Sequence, residues 1–439
     1  MSTARKGAGG DARQTALQTL LRLGEQGTVQ AVLDATLRAA RLERRDSALA
    51  TELVYGYLRT ELRIDCVLSA LLARPRKLPP EMYTALGMAA YALLFLQRIP
   101  HHATVDWTVR HVRARFGMRL AGVANGALRS LIRLGEAPLR PEFYHAPAST
   151  PEERLAAYYA MPLWIVRLWR TAYGEETAER LLARAFTPPW PSIRCNARHP
   201  EYAALLTAAV EAGGVRVGEH GVAFAPGAVP EMLLRQDIAV WHGAGALSWQ
   251  AAGSQEALAH AGEWGRVVWD ACAGQGGKSL ALLEDGVPVG LCSDMHSGRL
   301  RLLQRTAERL GMACPPCARA SALRPPLRRW EGDMLLDVPC SGLGTLARRP
   351  EIRRRRDMTD VHDLVALQRQ MLASAWHCLS PGGGLIYMTC TLNPAENGEQ
   401  IAAFLREHPA ARCESQWQTP HEHPWMEGMF VARLCKDCL

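Results

Sequence analysis

Hydrophobic and polar positions in the first third of the chain recur with the period of α-helices. Between residues 12 and 140, apolar side chains return three and four positions apart, which places them on one face of a helix. The helices predicted from this pattern span residues 15–23, 30–40, 46–58, 64–72, 81–96, 105–116 and 122–134. We therefore predict an all-helical domain over residues 1–145.

The pattern becomes irregular in the next hundred residues. Residues 138–151 are rich in Ala, Pro, Ser and Thr, which is typical of a linker. Helical periodicity resumes over 152–186, and a strand-like run at 192–196 precedes a helix over about 202–212. We predict a small α+β segment over residues 146–246.

From about residue 266, short apolar runs alternate with helical stretches. This alternation favours a parallel, doubly wound α/β sheet with helices on both faces, and we predict a Rossmann-like domain over residues 247–439. In such a sheet, ligands bind beyond the carboxyl ends of the strands. Three of the runs end in an aspartate, so polar groups are expected at that edge. The runs are 267–270, 289–294, 334–337 and 385–389.

Positive charge is concentrated in the predicted helical domain. The chain has 439 residues and a formal net charge of +8. Residues 1–145 carry 21 basic and 12 acidic side chains, so this third of the chain has a net charge of +9 and the remainder is nearly neutral. Basic domains favour anionic partners such as nucleic acid. Arginine outnumbers lysine throughout, which we attribute to codon preference.

The composition is that of a globular protein and excludes disordered, collagen-like and disulfide-scaffold classes. The first residues lack the apolar run of a signal peptide, and the longest apolar stretch, residues 88–96, is too short for a membrane span. We expect a soluble cytoplasmic protein with reduced cysteines. Two CxxC pairs, Cys314 with Cys317 and Cys435 with Cys438, are 117 residues apart, so we expect no metal site.

A glycine-rich segment follows the first apolar run of the α/β domain, from Asp270 to Ser279. Glycines between a strand and a helix let a ligand approach the backbone closely. A phosphate-binding loop would need glycine where Cys272 stands, and a dinucleotide fingerprint would need Gly or Ala at Ser279. The second run ends at Asp294, where an acidic side chain can accept hydrogen bonds from ribose hydroxyls. Cofactor binding and a plain structural turn both remain open on this spacing.

Two cysteines follow the third and fourth runs. Cys340 comes shortly after Asp337, and Cys390 comes directly after Thr389. If the strands are neighbours, both thiols reach the same sheet edge as the glycine-rich segment. A single cysteine is more often a small buried apolar residue than a nucleophile. Their shared placement makes the two interpretations about equally favoured.

These motifs resemble those of S-adenosylmethionine-dependent RNA cytosine-5 methyltransferases of the Sun (RsmB) type. The resemblance rests on 270–279, on the Pro-Cys motif in 337–342, and on the Thr-Cys motif with the Asn-Pro-Ala-Glu-Asn segment in 389–397. Residues 46–49, 55–60, 98–100 and 124–129 resemble that family's N-terminal domain, which is related to the antitermination factor NusB. The similarity covers nearly the whole chain in the same order.

The resemblance implies roles for individual residues. It makes Cys390 the nucleophile that attacks C6 of cytosine, Cys340 the cysteine that helps to release the enzyme from its adduct, and Asp337 a contact to both cofactor and base. Attack requires the thiolate, so we expect the surroundings of Cys390 to favour that form. The residues implied in S-adenosylmethionine binding are Cys272, Ala273, Gly274, Gln275, Gly276, Gly277, Lys278, Asp294, Ser321 and Asp337.

The chain departs from the family pattern at three places. Gly274 and Gln275 stand where Ala-Pro is usual, Ser321 stands where an aspartate contacts the adenine amino group, and Ala251 stands at another expected aspartate. Serine can still accept one hydrogen bond but carries no charge. We therefore predict weaker adenine binding than the usual pattern provides.

The function implied is methyl transfer to C5 of a cytosine in 16S (small-subunit) ribosomal RNA. The basic helical domain is expected to hold RNA phosphates, and Arg348, Arg349 and 353–356 are expected to grip RNA near the target. We expect a monomer without an obligate protein partner. The alternative is a non-catalytic RNA-binding protein. A nucleotide hydrolase is disfavoured by Cys272.

Overall fold

The computed structural model describes residues 11–23, 28–146, 149–226 and 236–437. The chain divides into two compact units. The first unit comprises residues up to Thr187 together with Arg349–Arg355, and the second comprises Pro188–Arg348 and Arg356–Leu439. Within the described ranges, none of the helices combines the length and apolar character needed to cross a membrane.

The first unit is helical, as predicted. Its long helices enclose one hydrophobic core that includes Leu17, Leu53, Ile64, Met82 and Leu128. The helices are α1 (Ala12–Arg22), α2 (Val29–Ala40), α3 (Arg44–Leu71), α4 (Pro80–Phe95), α5 (His101–Leu134), α6 (Pro151–Tyr158), α7 (Leu163–Tyr173), α8 (Glu175–Phe186) and the short Ile352–Arg355.

Helix α3 is continuous where the hydrophobic pattern predicts two helices. The interruption in the pattern contains Arg59, Thr60 and Arg63, which are polar but buried, with 4%, 4% and 3% exposure. No Pro or Gly interrupts the backbone there, so the hydrogen-bonded ladder continues. The predicted helices 105–116 and 122–134 likewise fall within α5, on either side of a kink at Gly117, whose φ is 85°.

Residues 138–186 pack into the first unit, so its boundary differs from the predicted one at 145. Arg63 of α3 donates hydrogen bonds to the carbonyl oxygen of Pro138 and to the hydroxyl of Tyr144. Its guanidinium also lies 4.4 Å from the ring centroid of Tyr158 and 5.3 Å from that of Phe186. The segment predicted as a linker is therefore held by a buried cation.

The second unit begins with a small antiparallel sheet in the order β2-β3-β1-β4. Its strands are β1 (Ser192–Cys195), β2 (Val215–Val217), β3 (Gly221–Ala223) and β4 (Leu247–Trp249). Helix α9 (Tyr202–Glu211) covers it through Leu205 and Ala209. The predicted α+β segment is thus split, because its helices α6–α8 belong to the first unit and its strands to the second.

The main sheet has seven strands in the order β10-β11-β9-β8-β5-β6-β7. Strands β5 to β9 are parallel, and β10 and β11 add an antiparallel edge. This confirms the predicted Rossmann-like, doubly wound α/β class. The strands are β5 (Val268–Asp270), β6 (Val289–Asp294), β7 (Cys317–Arg319), β8 (Asp333–Asp337), β9 (Gly384–Thr389), β10 (Ala411–Gln418) and β11 (Phe430–Lys436).

Helices on both faces of this sheet bury its apolar side chains. They are Ala252–Ala259, Gly277–Glu284, Ser297–Arg309, Met358–Cys378 and Gly398–Glu407, whereas the helix Gln236–Gly243 packs against the small sheet. Leu336 and Leu385 point into the core on one face, and Leu335 and Ile386 into the core on the other. Because β6, β5, β8 and β9 are consecutive neighbours, the loops after their carboxyl ends meet at one edge.

Candidate active site

The loop 271–276 after β5 is shaped by a buried carboxylate. Asp270 is 1% exposed, and it accepts hydrogen bonds from the hydroxyl of Ser279 at 2.5 Å and the amide of Cys272 at 3.2 Å. Burial raises the pKa of Asp270 to about 6. The loop ends at Gly276, whose φ of 84° and close approach to Leu303 exclude a side chain. The backbone then enters the helix Gly277–Glu284.

Asp294 at the end of β6 joins this loop to the next strand. One carboxylate oxygen accepts from the amide of Gly274 at 3.1 Å, and the other accepts from the amide of His296 at 2.7 Å. Each oxygen has a second lone pair for a further donor. Asp294 is therefore held in place and can still bind hydroxyl groups.

Three carboxylates act on the loop, and two of them are paired with cations, Asp294 with Arg299 at 3.6 Å and Asp337 with Lys278 at 2.5 Å. Burial raises the pKa of the Cys272 thiol well above its usual value, and the negative charges of Asp270, Asp337 and Asp294 add to this effect. Cys272 is consequently a neutral thiol at physiological pH.

Lys278, in the first turn of the helix after the loop, pairs with Asp337 at the end of β8. The ammonium Nζ lies 2.5 Å from Oδ2 of Asp337. Burial acts to lower the pKa of Lys278, but the attraction of Asp337 and of Cys390 outweighs it and raises that pKa. Lys278 therefore stays positive beside both side chains.

Cys340 and Cys390, here called the thiol pair, lie together as predicted. Their sulfurs are 3.3 Å apart, and the amide of Cys390 donates to the sulfur of Cys340 at 3.3 Å. The hydrogen bond with Cys390 raises the pKa of Cys340 well above its usual value, and burial raises it further. Cys340 is therefore the protonated member of the pair.

Two buried clusters beside the site were not predicted from the sequence. Glu396, fully buried, accepts hydrogen bonds that link the loops of the two thiols. Glu396 lies in the Asn-Pro-Ala-Glu-Asn segment at 393–397, whose resemblance to the family was the one sequence feature that could have indicated it. Arg194 of β1 donates to Glu284 and to the carbonyl oxygen of Gly277, directly after loop 271–276. No sequence pattern indicated Arg194, which is 90 residues from Glu284.

The residues that depart from the family pattern lie at the ends of other elements. Ser321 follows β7, and its hydroxyl oxygen accepts from the amide of Leu323 at 3.2 Å. Ala251 precedes the helix Ala252–Ala259. An open groove of about 510 Å³ lies between the ends of β6 and β7, lined in part by Met295 and Arg319.

The expectation that Arg353 grips RNA is wrong. Arg353 is 6% exposed and donates to the backbone carbonyl oxygens of Arg59, Ala160 and Ala185 within the first unit. Its neighbour in the predicted basic run, Arg348, pairs with Glu427 at 2.5 Å in the second unit. Arg353 therefore serves packing in place of phosphate binding, whereas Arg348, whose side chain is 38% exposed, stays a predicted RNA contact together with Arg349 and 354–356.

The two CxxC pairs are separated by the main sheet. Cys314 and Cys317 have sulfurs 4.0 Å apart at the β7 edge, whereas Cys435 belongs to β11 near the other edge. Cys438 lies outside the described residues. Among the residues that the structure describes, no group of three or more His, Cys, Asp or Glu side chains is placed to hold a metal ion.

Two solved structures share this architecture. The crystal structure of PH0851 covers 97% of this chain and 98% of its own, with a TM-score of 0.76 and 21% identity. NSun6 from Pyrococcus horikoshii, solved with SFG, covers 64% of this chain with a TM-score of 0.54 and 18% identity. The fold is thus a Rossmann-like domain combined with a helical unit, and PH0851 shares it over nearly its whole length.

Sequence comparison identifies the family. Residues 258–434 match the family model of 16S rRNA methyltransferase RsmB/F, and residues 10–133 match the NusB family. Ribosomal RNA small subunit methyltransferase B of Thermus thermophilus is 33% identical, over 92% of this chain and 90% of that protein. The probable counterpart in Bacillus subtilis is 31% identical, over 90% of this chain and 88% of its own. The chain belongs to the ribosomal RNA small subunit methyltransferase B family.

Proposed function

We propose that this protein transfers a methyl group from S-adenosylmethionine to C5 of a cytosine in 16S rRNA, through a covalent bond between Cys390 and C6. The observation that carries the proposal is the thiol pair, with sulfurs 3.3 Å apart beside a cation and a glycine-rich loop. Two thiols at the carboxyl edge of a Rossmann-like sheet suit a reaction that first forms and then breaks a carbon–sulfur bond.

The cofactor proposal is supported by the chemistry of the donors around loop 271–276. S-adenosylmethionine carries a positive sulfonium, and the buried carboxylate of Asp270 places negative charge beside the loop. The free lone pairs of Asp294 suit ribose hydroxyls, and the amides at the start of the helix Gly277–Glu284 suit a carboxylate. When bound, the cofactor would supply an electrophilic methyl group.

Cys390 is the proposed nucleophile. Its thiolate forms a bond to C6 of cytosine, and the electron pair of the C5–C6 double bond moves to C5, which thereby becomes able to accept a methyl group. The positive charge of Lys278 attracts the Cys390 thiolate, which supports the expectation that the surroundings favour this form. Asp337, paired with Lys278 at 2.5 Å, keeps that charge in place.

Cys340 is the proposed base for release. While Cys390 is a thiolate, its hydrogen bond and negative charge raise the pKa of Cys340. Once Cys390 is bonded to C6, both influences disappear, and Cys340 releases its proton to solvent water more readily. Its thiolate can then take the C5 proton; the C5–C6 double bond re-forms and the bond between Cys390 and C6 breaks. The two cysteines would thus carry the negative charge in turn.

RNA binding is proposed for the exposed face of helix α5 in the first unit. Five exposed residues follow one another at alternating three- and four-residue spacing and so share one face; they are Arg119, Gly122, Gly126, Arg129 and Arg133. Arginines in such a row suit a sugar-phosphate backbone, whose recognition is largely independent of sequence. We further propose that the protein acts in the cytoplasm as a single chain.

The test uses 16S rRNA fragments and assembled small subunits with labelled cofactor. We expect the wild type to incorporate label at C5 of cytosine, Cys390→Ala to incorporate none, and Cys340→Ala to accumulate a covalent protein–RNA species. Methyl transfer by Cys390→Ala would refute the mechanism. RNA binding without any transfer by the wild type would favour the alternative, a non-catalytic RNA-binding protein.

A further inference from the structure

The carboxylate of Glu396 is fully buried and is surrounded by hydrogen-bond donors. Glu396 is 0% exposed, and every group that donates to its two oxygens is uncharged. The donors are the amide and hydroxyl of Ser341 at 2.8 and 2.5 Å, the side-chain amides of Gln368 and Asn393 at 3.0 Å, and the hydroxyl of Thr391 at 3.4 Å.

These donors come from the two loops that carry the thiol pair. Ser341 directly follows Cys340, and Thr391 directly follows Cys390. The two hydroxyls are also 2.7 Å from each other. One carboxylate therefore fixes the residue next to each thiol, although 50 residues separate Ser341 from Thr391.

Only a carboxylate satisfies this set of donors. An ionised carboxylate accepts at both oxygens, whereas an amide accepts at one end and donates at the other. The NH2 group of a glutamine would face the N–H donors of Ser341 and Gln368 if it took the place of Oε1, and the N–H donor of Asn393 if it took the place of Oε2. Glutamine at this position would thus place its NH2 group against N–H donors in either orientation, although its shape is the same.

We propose that Glu396 is a positioning residue that sets the separation of the Cys340 and Cys390 sulfurs by holding Ser341 and Thr391. This inference rests on the proposed function for the catalytic meaning of the thiol pair. Its geometric content, the control of the distance between the sulfurs, does not depend on any RNA substrate.

The first measurement concerns geometry and uses Glu396→Gln in the full chain. Diamide oxidises two adjacent thiols to a disulfide and is itself reduced to the hydrazine, taking up both protons and both electrons. With sulfurs 3.3 Å apart, the wild-type pair should close quickly. We expect closure in Glu396→Gln to be about tenfold slower, because proximity is lost. Peptide mapping by mass spectrometry follows the Cys340–Cys390 disulfide.

Two controls accompany this measurement. Cys314 and Cys317, with sulfurs 4.0 Å apart, are outside the Glu396 cluster and should close at the same rate in both proteins. Glu399→Gln makes the same chemical change at an exposed position of the helix Gly398–Glu407 and should behave as the wild type. If Glu396→Gln does not fold, Ser341→Ala removes one donor and should show a smaller slowing.

The second measurement concerns catalysis. With RNA containing 5-fluorocytidine, which has no C5 proton to lose, the covalent species accumulates and its rate of formation can be followed. We expect Glu396→Gln to slow this step on the order of 100-fold and to leave the Kd for S-adenosylmethionine and for RNA within twofold. A purely structural role would weaken all three together.

The outcomes separate the two proposals. Equal rates of Cys340–Cys390 closure in Glu396→Gln and wild type would overturn the positioning role, whatever happens with RNA. Slower closure with an active wild type would support both. Slower closure with a wild type that forms no covalent species would support the positioning of the thiols and overturn the proposed function.

Discussion

The ion pair of Arg194 and Glu284 tests how the small sheet supports loop 271–276 and the helix that follows it. The side chains of Arg194 and Glu284 are 5% and 1% exposed, and their closest atoms are 2.5 and 3.0 Å apart. Arg194 also donates to the side-chain oxygen of Gln250 and to the carbonyl oxygen of Gly277 at 3.1 Å. Substitution Arg194→Met keeps the volume and removes the charge and every donor.

The magnitude follows from the burial of Glu284. Burial raises the pKa of Glu284, and Arg194 opposes that rise. Removal of one partner from a buried ion pair costs about 3–5 kcal/mol. A carboxyl group whose pKa is raised in the folded state loses stability as pH rises through that pKa. The destabilisation in Arg194→Met should therefore be larger at pH 8 than at pH 5, where Glu284 can remain protonated.

The assay is urea unfolding at both pH values, with hydrogen exchange of peptides from the helix Gly277–Glu284 to locate the effect. Arg305→Met, at an exposed position, is the matched control and should change stability by less than about 0.5 kcal/mol. The double variant Arg194→Met with Glu284→Leu should recover most of the loss. A loss below about 1 kcal/mol, or one of equal size at both pH values, would refute the reasoning.

Three further predictions concern other parts of the molecule. Ser321→Asp should tighten cofactor binding in a titration, because it restores a charged acceptor for the adenine amino group; an unchanged Kd would count against the role of Ser321. Glu61→Gln should raise the stability of the first unit at pH 8 by about 3 kcal/mol and change it little at pH 5, as measured by calorimetry. The reason is that burial raises the pKa of Glu61 to about 7, so the folded state loses stability as the pH rises through that value. A gain at pH 5 as large as at pH 8 would contradict this. Arg119→Glu combined with Arg129→Glu should weaken RNA binding and flatten its salt dependence while leaving cofactor affinity intact; unchanged RNA affinity would contradict the proposed face of α5.

Sequence patterns predicted the helical unit, the strands β5, β6, β8 and β9, and the meeting of the loops that follow them, but not β7, β10 or β11. These features have local signals, because short apolar runs alternate with helical stretches and three of the four runs end in Asp. The placement of Cys340 beside Cys390 needed only the assumption that β8 and β9 are neighbours, which the strand order confirms. The roles of the site residues stay predictions until the experiments above are done.

Features that depend on distant contacts were not predictable. Arg59, Thr60 and Arg63 resemble a helix boundary because their polarity breaks the apolar pattern, but tertiary partners bury them. Arg353 lies in a run of arginines, which is typical of a solvated surface. Its partners are backbone carbonyl groups, which no pattern of side chains reveals. Sequence patterns assign charged residues to the surface, so they do not predict an arginine that is buried by its partners.

The contribution of Arg349–Arg355 to the first unit has a consequence for synthesis of the chain. This segment follows Thr187 by about 160 residues. At a translation rate of roughly 5–20 residues per second, it leaves the ribosome on the order of 10–30 s after the helices that it completes. During that interval the carbonyl oxygens of Ala160 and Ala185 lack the donors that Arg353 supplies. The helical unit therefore reaches its final form only after most of the methyltransferase unit has been made.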